Sequence, residues 1–393
     1  MGAHVVTLGC RLNLAESEEI RSILSREDDL VVINSCAVTS EAVRHTRQAI
    51  RRARREHPEA RLLVTGCAAE TERDQLAAMP EVDGLVPNAE KRDPRRWNVA
   101  PERVLAPEHT RAFIEIQNGC DHSCTFCIIP QGRGRSRSRP IPEVIADIER
   151  HLDRGAAEIV LTGVDVTSWG HDLHGEPRLG ALVEAILARH PEVRRLRMSS
   201  VDGIELDDTL LDLLAHEPRM MPHVHLSLQH GHDLILKRMK RRHSRTDAVS
   251  LVAWLKARRP EIAIGADLMA GFPTESEEAH KANLSIIGEL DIVHGHIFPF
   301  SPRHGTPAAR MPQVDGLTIK ARAKALRGEV ARVRREWLES RVGIAQDVLV
   351  EKGGVGHAPD FAPFRVGDGP HSASEPGEIV RIAPSKVEEG MLV

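Results

Sequence analysis

Tyrosine is absent from this 393-residue chain, and aromatic residues make up only 3% of it. That composition disfavours a binding pocket walled by aromatic rings. Six cysteines are far too few for a disulfide scaffold. No apolar run approaches the length needed to cross a membrane. The start, Met1-Gly2-Ala3-His4-Val5-Val6, lacks the basic region and long apolar core of a signal peptide, and Val6 breaks the myristoylation pattern. A cytoplasmic protein with reduced thiols is the expectation. Basic residues are not in excess either: 53 Lys and Arg stand against 57 Asp and Glu, a formal net charge of -4. Any nucleic-acid surface must therefore be local.

What is present fits a globular chain of two or three domains, with 41% hydrophobic and 28% charged residues. Its centre of interest is Gln117-Asn118-Gly119-Cys120-Asp121-His122-Ser123-Cys124-Thr125-Phe126-Cys127. Three thiols at C-x-x-x-C-x-x-C spacing follow a short strand-like run from Ala112 to Ile116. Their thiolates can point into one concavity and hold a soft metal centre. Three thiolates on a four-iron cube leave one iron without a protein ligand. A structural zinc site would need a fourth ligand, and the nearest other cysteine is Cys67. A zinc knuckle or a disulfide pair is the alternative.

The cluster loop resembles that of the radical S-adenosylmethionine (SAM) superfamily. The resemblance implies a [4Fe-4S] cluster on Cys120, Cys124 and Cys127, SAM chelated at the open iron, and reductive cleavage to a 5′-deoxyadenosyl radical. Phe126 stands where that family carries an aromatic residue against the adenine.

The other three cysteines each follow a short β-branched run. Cys10 follows 5–9, Cys36 follows 30–35, and Cys67 follows 62–66. Helical patterns come after each, at 17–25, 41–57 and 70–78. This β-α alternation predicts a doubly wound parallel sheet, whose strand ends would bring the three cysteines together. Three separately buried cysteines are the plainer alternative. Gly9-Cys10-Arg11-Leu12-Asn13, Asn34-Ser35-Cys36-Ala37-Val38-Thr39 and Thr65-Gly66-Cys67 resemble the amino-terminal domain of the methylthiotransferases. That resemblance implies a second [4Fe-4S] cluster, which handles the sulfur to be inserted.

The helix at 41–57 carries six arginines, with Arg44, Arg47 and Arg51 at helical spacing, opposite Val43, Ile50 and Ala53. It is a candidate RNA-backbone contact or simply a solvated face. Prolines punctuate a connection at 80–107. Six strand-like runs then begin near 114, 158, 196, 223, 262 and 293. Helical patterns alternate with them at 141–154, 179–189, 208–216, 248–257, 276–290 and 317–342. Six β-α pairs fit the (β/α)6 partial barrel that the radical SAM resemblance implies, with chemistry at the carboxyl ends of the strands.

Arg133, Arg135, Arg137 and Arg139 alternate just after the cluster loop. They are candidates for gripping phosphates, or for capping local carboxylates. Gly163-Val164-Asp165 ends the second barrel strand, where the resemblance places the amino end of SAM; an Asp capping a turn is the alternative. Gln229 also ends a strand at a family position and is expected near SAM. Asp267 and the turn Gly271 to Glu275 match family positions without an assignable role. His223 with His225, and His294 with His296, share strand faces that could bind a further metal or owe their pairing to chance among 21 histidines.

Beyond Val342, short strand runs at 346–351, 361–366 and 377–382 suit a small β-barrel resembling the TRAM domain. Four basic residues (Lys352, Arg365, Arg381, Lys386) stand there against eight acidic ones, which is unusual for an RNA module.

The expected domains are 1–100, 106–338 and 339–393. The resemblance, spanning the whole chain, implies a radical SAM methylthiotransferase. The arginine-rich loop and the run from Leu161 to Ser168 look most like the branch acting on N6-threonylcarbamoyladenosine in tRNA. Branches acting on isopentenyladenosine or on a ribosomal-protein aspartate come next. Low aromatic content and Arg197 on a strand also favour an anionic substrate side chain. Partners implied are tRNA, an electron donor such as flavodoxin or ferredoxin, and an unidentified sulfur donor, with no membrane. A zinc-binding RNA module without catalysis is the reading from a different class.

Overall fold

The computed structural model describes residues 2–98, 110–367 and 374–393. The amino-terminal part alternates β1 (His4–Thr7), α1 (Arg11–Ile23), β2 (Leu30–Ser35), α2 (Ser40–Glu56), β3 (Arg61–Gly66), two short helices α3 (Cys67–Thr71) and α4 (Arg73–Ala77), and β4 (Gly84–Leu85). The four strands form a parallel sheet in sequential order. Side chains alternate across a strand, so each face acquires its own core. Val31, Ile33, Leu62 and Val64 pack with Val43, Ile50 and Ala53 of α2. Val5, Val32 and Leu63 pack with Ile20 of α1 on the other face. The layered reading is borne out. The fourth strand, inside the proline-rich connection, has only two residues and no sequence signature of its own.

The central part starts with β5 (Arg111–Glu115), the pair β6 (Gln117–Asn118) and β7 (Arg137–Ser138), and between them α5 (Ile129–Arg133). It continues with α6 (Ile141–Leu152), β8 (Glu158–Thr162), α7 (Leu179–Arg189), β9 (Leu196–Met198), α8 (Asp208–His216), β10 (His223–Gln229), α9 (Asp233–Arg238) and α10 (Arg245–Arg258). It closes with β11 (Ala263–Ala270), α11 (Glu277–Glu289), β12 (Ile292–Pro299) and α12 (Gly316–Glu339). β5-β8-β9 and β10-β11-β12 are parallel triplets. Parallel bridges from Leu196 to Met220 and from Val201 to Leu226 join them. Six parallel strands thus wrap part of a barrel, whose core runs from Ile114 and Leu161 to Ile264 and Ile292. No β5–β12 pairing occurs among the described residues, so the barrel is open along that side. Helix α1 packs against β5 there.

The carboxyl-terminal part is a six-stranded, mostly antiparallel sheet: β13 (Gln346–Glu351), β14 (Val355–His357), β15 (Pro363–Arg365), β16 (Ile379–Ile382), β17 (Val387–Glu388) and β18 (Met391–Leu392). Val348, Val350, Phe364 and Leu392 form its core. Among the described residues no helix is long and apolar enough to cross a membrane.

Candidate active site

Two parts of the chain carrying three thiols each come together where the amino-terminal sheet packs on the barrel mouth, with Ile128 and Cys67 in one core. Cys120, Cys124 and Cys127 lie on the loop between β6 and α5 and are half-buried. Each sulfur accepts one N–H. The backbone of His122 donates to Cys120 (3.4 Å), the backbone of Ile129 to Cys127 (3.4 Å), and Arg241 Nη1 approaches Cys124 at 3.8 Å. Burial, chiefly, raises the Cys120 thiol to about 12 and the Cys127 thiol to about 11. In a metal-free site these two stay protonated at neutral pH.

Cys10 caps α1, Cys36 follows β2, and Cys67 opens α3. The Ser35 hydroxyl, next to Cys36, accepts from the backbones of Ala68 and Ala69, just after Cys67 (3.1 and 3.3 Å). Burial raises Cys36 to about 11. Glycine makes the space: a side chain on Gly9, at φ +94°, would lie 2.8 Å from the Cys36 sulfur. Residue 132, on α5, stands so close that a Cβ would reach Cys67 Cβ at 3.2 Å. Ile128, next to Cys127, packs in the same core as Cys67, so both sets border one region.

Glutamine 117, fully buried, fastens the cluster loop to the corner after β8. Its Oε1 accepts from the backbones of Val164 (3.1 Å) and Asp165 (2.9 Å), while its Nε2 donates to the Gly119 carbonyl (2.8 Å). A Cβ on Gly163 would meet the Gln117 carbonyl oxygen at 2.7 Å, so glycine is required there for packing. Asp165 lies 3.9 Å from the Cys120 sulfur and accepts from Ser168 Oγ (2.6 Å) and His122 Nε2 (2.7 Å). Hydrogen bonds to Asp165 and then Glu205 raise His122 to about 10. Ligand atoms of Cys120, His122 and Asp165 all fall within 4.8 Å of one another. Phe126 sits edge-on to Phe272, 6.4 Å between centroids. Gln229 ends β10 at a bulge with φ +67°. The sequence reading of this mouth missed Gln117, His122, Glu205 and Arg241, all polar side chains whose partners are remote in sequence.

The arginines divide. Arg133 was expected to grip phosphate, but it is 5% exposed. Its guanidinium donates to both Glu16 oxygens (2.9 and 3.0 Å), to Asn118 Oδ1 (2.9 Å) and to Asn13 Oδ1 (2.5 Å). Lys91 Nζ donates to the same Glu16 at 2.6 Å. Arg133 therefore joins α5 to α1 beside the cysteines and cannot reach solvent. Arg139 is likewise engaged, with Asp147 at 2.8 Å. Arg135 and Arg137 are exposed, Arg135 only loosely paired with Asp121. On α2, Arg44 pairs with Glu41, Arg47 with Glu72, and Arg51 with Glu81, so acidic neighbours partly neutralise that face. Arg197 is buried against Glu158 (3.1 Å) and is spoken for. The four strand histidines share faces as expected and line one cavity. His225 and His296 approach Asp267 from two strands, each at 3.2 Å.

Comparison with known proteins bears on this arrangement. Residues 114–284 match the Radical SAM superfamily, and residues 2–87 match "Uncharacterized protein family UPF0004". The chain is 41% identical to a threonylcarbamoyladenosine tRNA methylthiotransferase MtaB of Rickettsia prowazekii, over 92% of this chain and 90% of that protein. The chain belongs to the radical SAM tRNA methylthiotransferases. Membership implies a [4Fe-4S] cluster and SAM. A second branch is also similar: a tRNA-2-methylthio-N(6)-dimethylallyladenosine synthase of Cereibacter sphaeroides is 31% identical, over 96% of this chain and 94% of that one. Among solved structures, the cobalamin-dependent SAM radical enzyme OxsB aligns with TM-score 0.51 at 10% identity, covering 84% of this chain and 56% of that one. That likeness concerns the fold alone.

Proposed function

We propose that this methylthiotransferase acts at C2 of N6-threonylcarbamoyladenosine beside the anticodon of tRNA. In this reading it uses two [4Fe-4S] clusters, and SAM serves as both radical source and methyl donor. The observation that carries the reading is the approach of the two cysteine sets: Ile128, next to Cys127, packs in one core with Cys67, and Gly132 stands against the Cys67 side chain. One set would hold the SAM-cleaving cluster, on Cys120, Cys124 and Cys127. The other, Cys10, Cys36 and Cys67, would hold the sulfur-handling cluster. The donor sets suit this. Each offers three sulfurs and no fourth cysteine, which leaves an open iron and does not complete a closed zinc site. The glycine-made space by Cys36 and Cys67 and the N–H donors on the other three sulfurs fit a bulky anionic cluster.

Bound there, the clusters and SAM supply one-electron cleavage and sulfur chemistry. The chain's own groups orient and enclose. Gln117 fixes the corner that carries Gly163 and Asp165. Asp165 is the anion at that corner, suited to an ammonium group, and Phe126 and Gln229 flank the same mouth. Arg241 tempers the charge on Cys124. Residues 1–100 would form the sulfur-cluster domain, 106–338 the radical domain, and 339–393 a TRAM-like domain. Arg135 and Arg137, with Arg44, Arg47 and Arg51, remain the candidate phosphate contacts. A cytoplasmic setting, a flavodoxin or ferredoxin as electron donor, and a separate sulfur donor complete the proposal.

The names of the relatives favour threonylcarbamoyladenosine, and the 31% identical synthase keeps the dimethylallyl substrate in contention. Both tRNAs should be offered to reconstituted enzyme with SAM, reductant and sulfide, and their nucleosides weighed by mass spectrometry. Methylthiolation of the threonylcarbamoyl tRNA alone is expected. Product from the other tRNA alone would overturn the substrate, and product from neither, with SAM cleaved, would point to a protein substrate.

A further inference from the structure

A cavity of about 440 Å³ lies along the open side of the barrel, where all three parts of the chain meet. Arg11 enters it from α1, His223 and His225 from β10, His294 and His296 from β12, and Phe361 from the carboxyl-terminal part. The nearby charges are unequal. Arg11, Arg111, Arg195, Arg197, Arg327 and Arg334 stand against Glu158, Asp267, Asp347, Glu351 and Asp360. Most of these cations are committed. Arg111 and Arg197 pair with Glu158 at 2.6 and 3.1 Å. Arg195 donates to the carbonyls of His357 and Asp347. Arg327 donates to the Ile297 carbonyl (3.2 Å), and Arg334 approaches His294 Nδ1 at 3.0 Å. The Asp267 carboxylate is held by His225 and His296.

Arg11 differs. Its guanidinium lies 5.9 Å from the Phe361 ring centroid, and neither a hydrogen bond nor an ion pair holds it among the described residues, whereas Arg327 and Arg334, equally without a carboxylate, are tied to a carbonyl and to His294. His223 is a second unsatisfied group. It is 5% exposed, and neither ring nitrogen has a hydrogen-bond partner. Burial lowers its pKa well below the ordinary histidine value, so it stays neutral, with one N–H to donate and one nitrogen to accept. A divalent metal on His225, Asp267 and His296 would face Arg11, which already acts on Asp267. An anion suits the cavity better.

The cavity also has the right address. Arg11 directly follows Cys10 in the chain. In adenine, C2 and the N6 substituent leave the same edge of the ring. A base presenting C2 to the cysteine sets therefore carries its N6 substituent into the adjoining space. We propose that this cavity receives the carboxylate of the N6 substituent, with the Arg11 guanidinium as counter-charge and His223 as a hydrogen-bond partner. The assignment rests on the threonylcarbamoyladenosine reading above. It makes Arg11 the residue that distinguishes an anionic from an apolar side chain.

Anticodon stem-loops carrying threonylcarbamoyladenosine, or its neutral carboxamide, should be titrated against the cluster-loaded enzyme by fluorescence anisotropy. A charge-assisted contact should make the acid bind on the order of 10- to 100-fold tighter than the amide. Arg11→Met should bring that ratio close to one while leaving amide affinity and iron content near wild type. Arg11→Lys should restore part of the ratio, and His223→Phe should lower it with Arg11 intact. A ratio unchanged in Arg11→Met, or already near one in a wild type that modifies the acid stem-loop, would overturn the carboxylate site alone. A wild type that leaves the acid stem-loop unmodified would overturn the substrate reading, and this site with it.

Discussion

Replacing Arg133 with Met should destabilise the protein by about 3 kcal/mol and leave the salt dependence of tRNA binding unchanged. Arg133 and Glu16 have side chains only 1% and 2% exposed, and four hydrogen bonds under 3.1 Å converge on the guanidinium. Removing one partner of a buried ion pair leaves the other charge stranded, typically at roughly 3–5 kcal/mol. Here Lys91 stays on Glu16 at 2.6 Å, so the lower end applies. Lys91 cannot replace the span from α5 to α1, so the contact of barrel and sheet beside Cys67 should loosen as well. Urea unfolding of the anaerobic enzyme, followed by tryptophan fluorescence, measures the loss. Arg135→Ala is the matched control: its side chain is 90% exposed, and stability should move by less than about 0.5 kcal/mol. The tRNA affinities should invert the order. Arg135→Ala should flatten the slope of log K against log salt by about 0.7 to 0.9, and Arg133→Met should not. A stable Arg133→Met protein with a flattened slope would refute the buried-pair account and return Arg133 to the RNA surface.

Two further outcomes follow from the site and its surroundings. Changing Cys120, Cys124 and Cys127 to Ala should halve the iron content and abolish SAM cleavage. The same change at Cys10, Cys36 and Cys67 should halve the iron and keep cleavage to 5′-deoxyadenosine but stop sulfur insertion; iron assays and chromatography of the nucleoside decide. Burial raises Glu18 on α1 to about 7 against an ordinary 4.5. The folded state then holds a proton that the unfolded state releases, so the stability this group contributes is fullest below pH 4.5 and is lost as pH rises through 7. Glu18→Gln should raise the melting temperature at pH 8 and change it little at pH 4.5, and an equal effect at both pH values would show that folding does not shift the Glu18 pKa.

The sequence by itself determined the reactive loop, the alternation of strands and helices, and the strand-end positions of Cys10, Cys36 and Cys67. Those features depend on neighbours along the chain. Thiols three or four positions apart share one loop, apolar β-branched runs form strands, and parallel strands end on a common edge whatever packs around them. Tertiary structure decided which charges are free. Arg133 and Arg135 are two positions apart and look alike in the sequence. Yet the partner of the first is Glu16, 117 positions away, and the second faces solvent. Arg197 looked like an anion site until Glu158 occupied it, whereas Arg11, unremarked beside Cys10, is held by no hydrogen bond or ion pair among the described residues. No local pattern encodes such pairings. An ion pair depends on where two side chains end after the sheet and the barrel have docked, and its worth depends on how much water that docking removes.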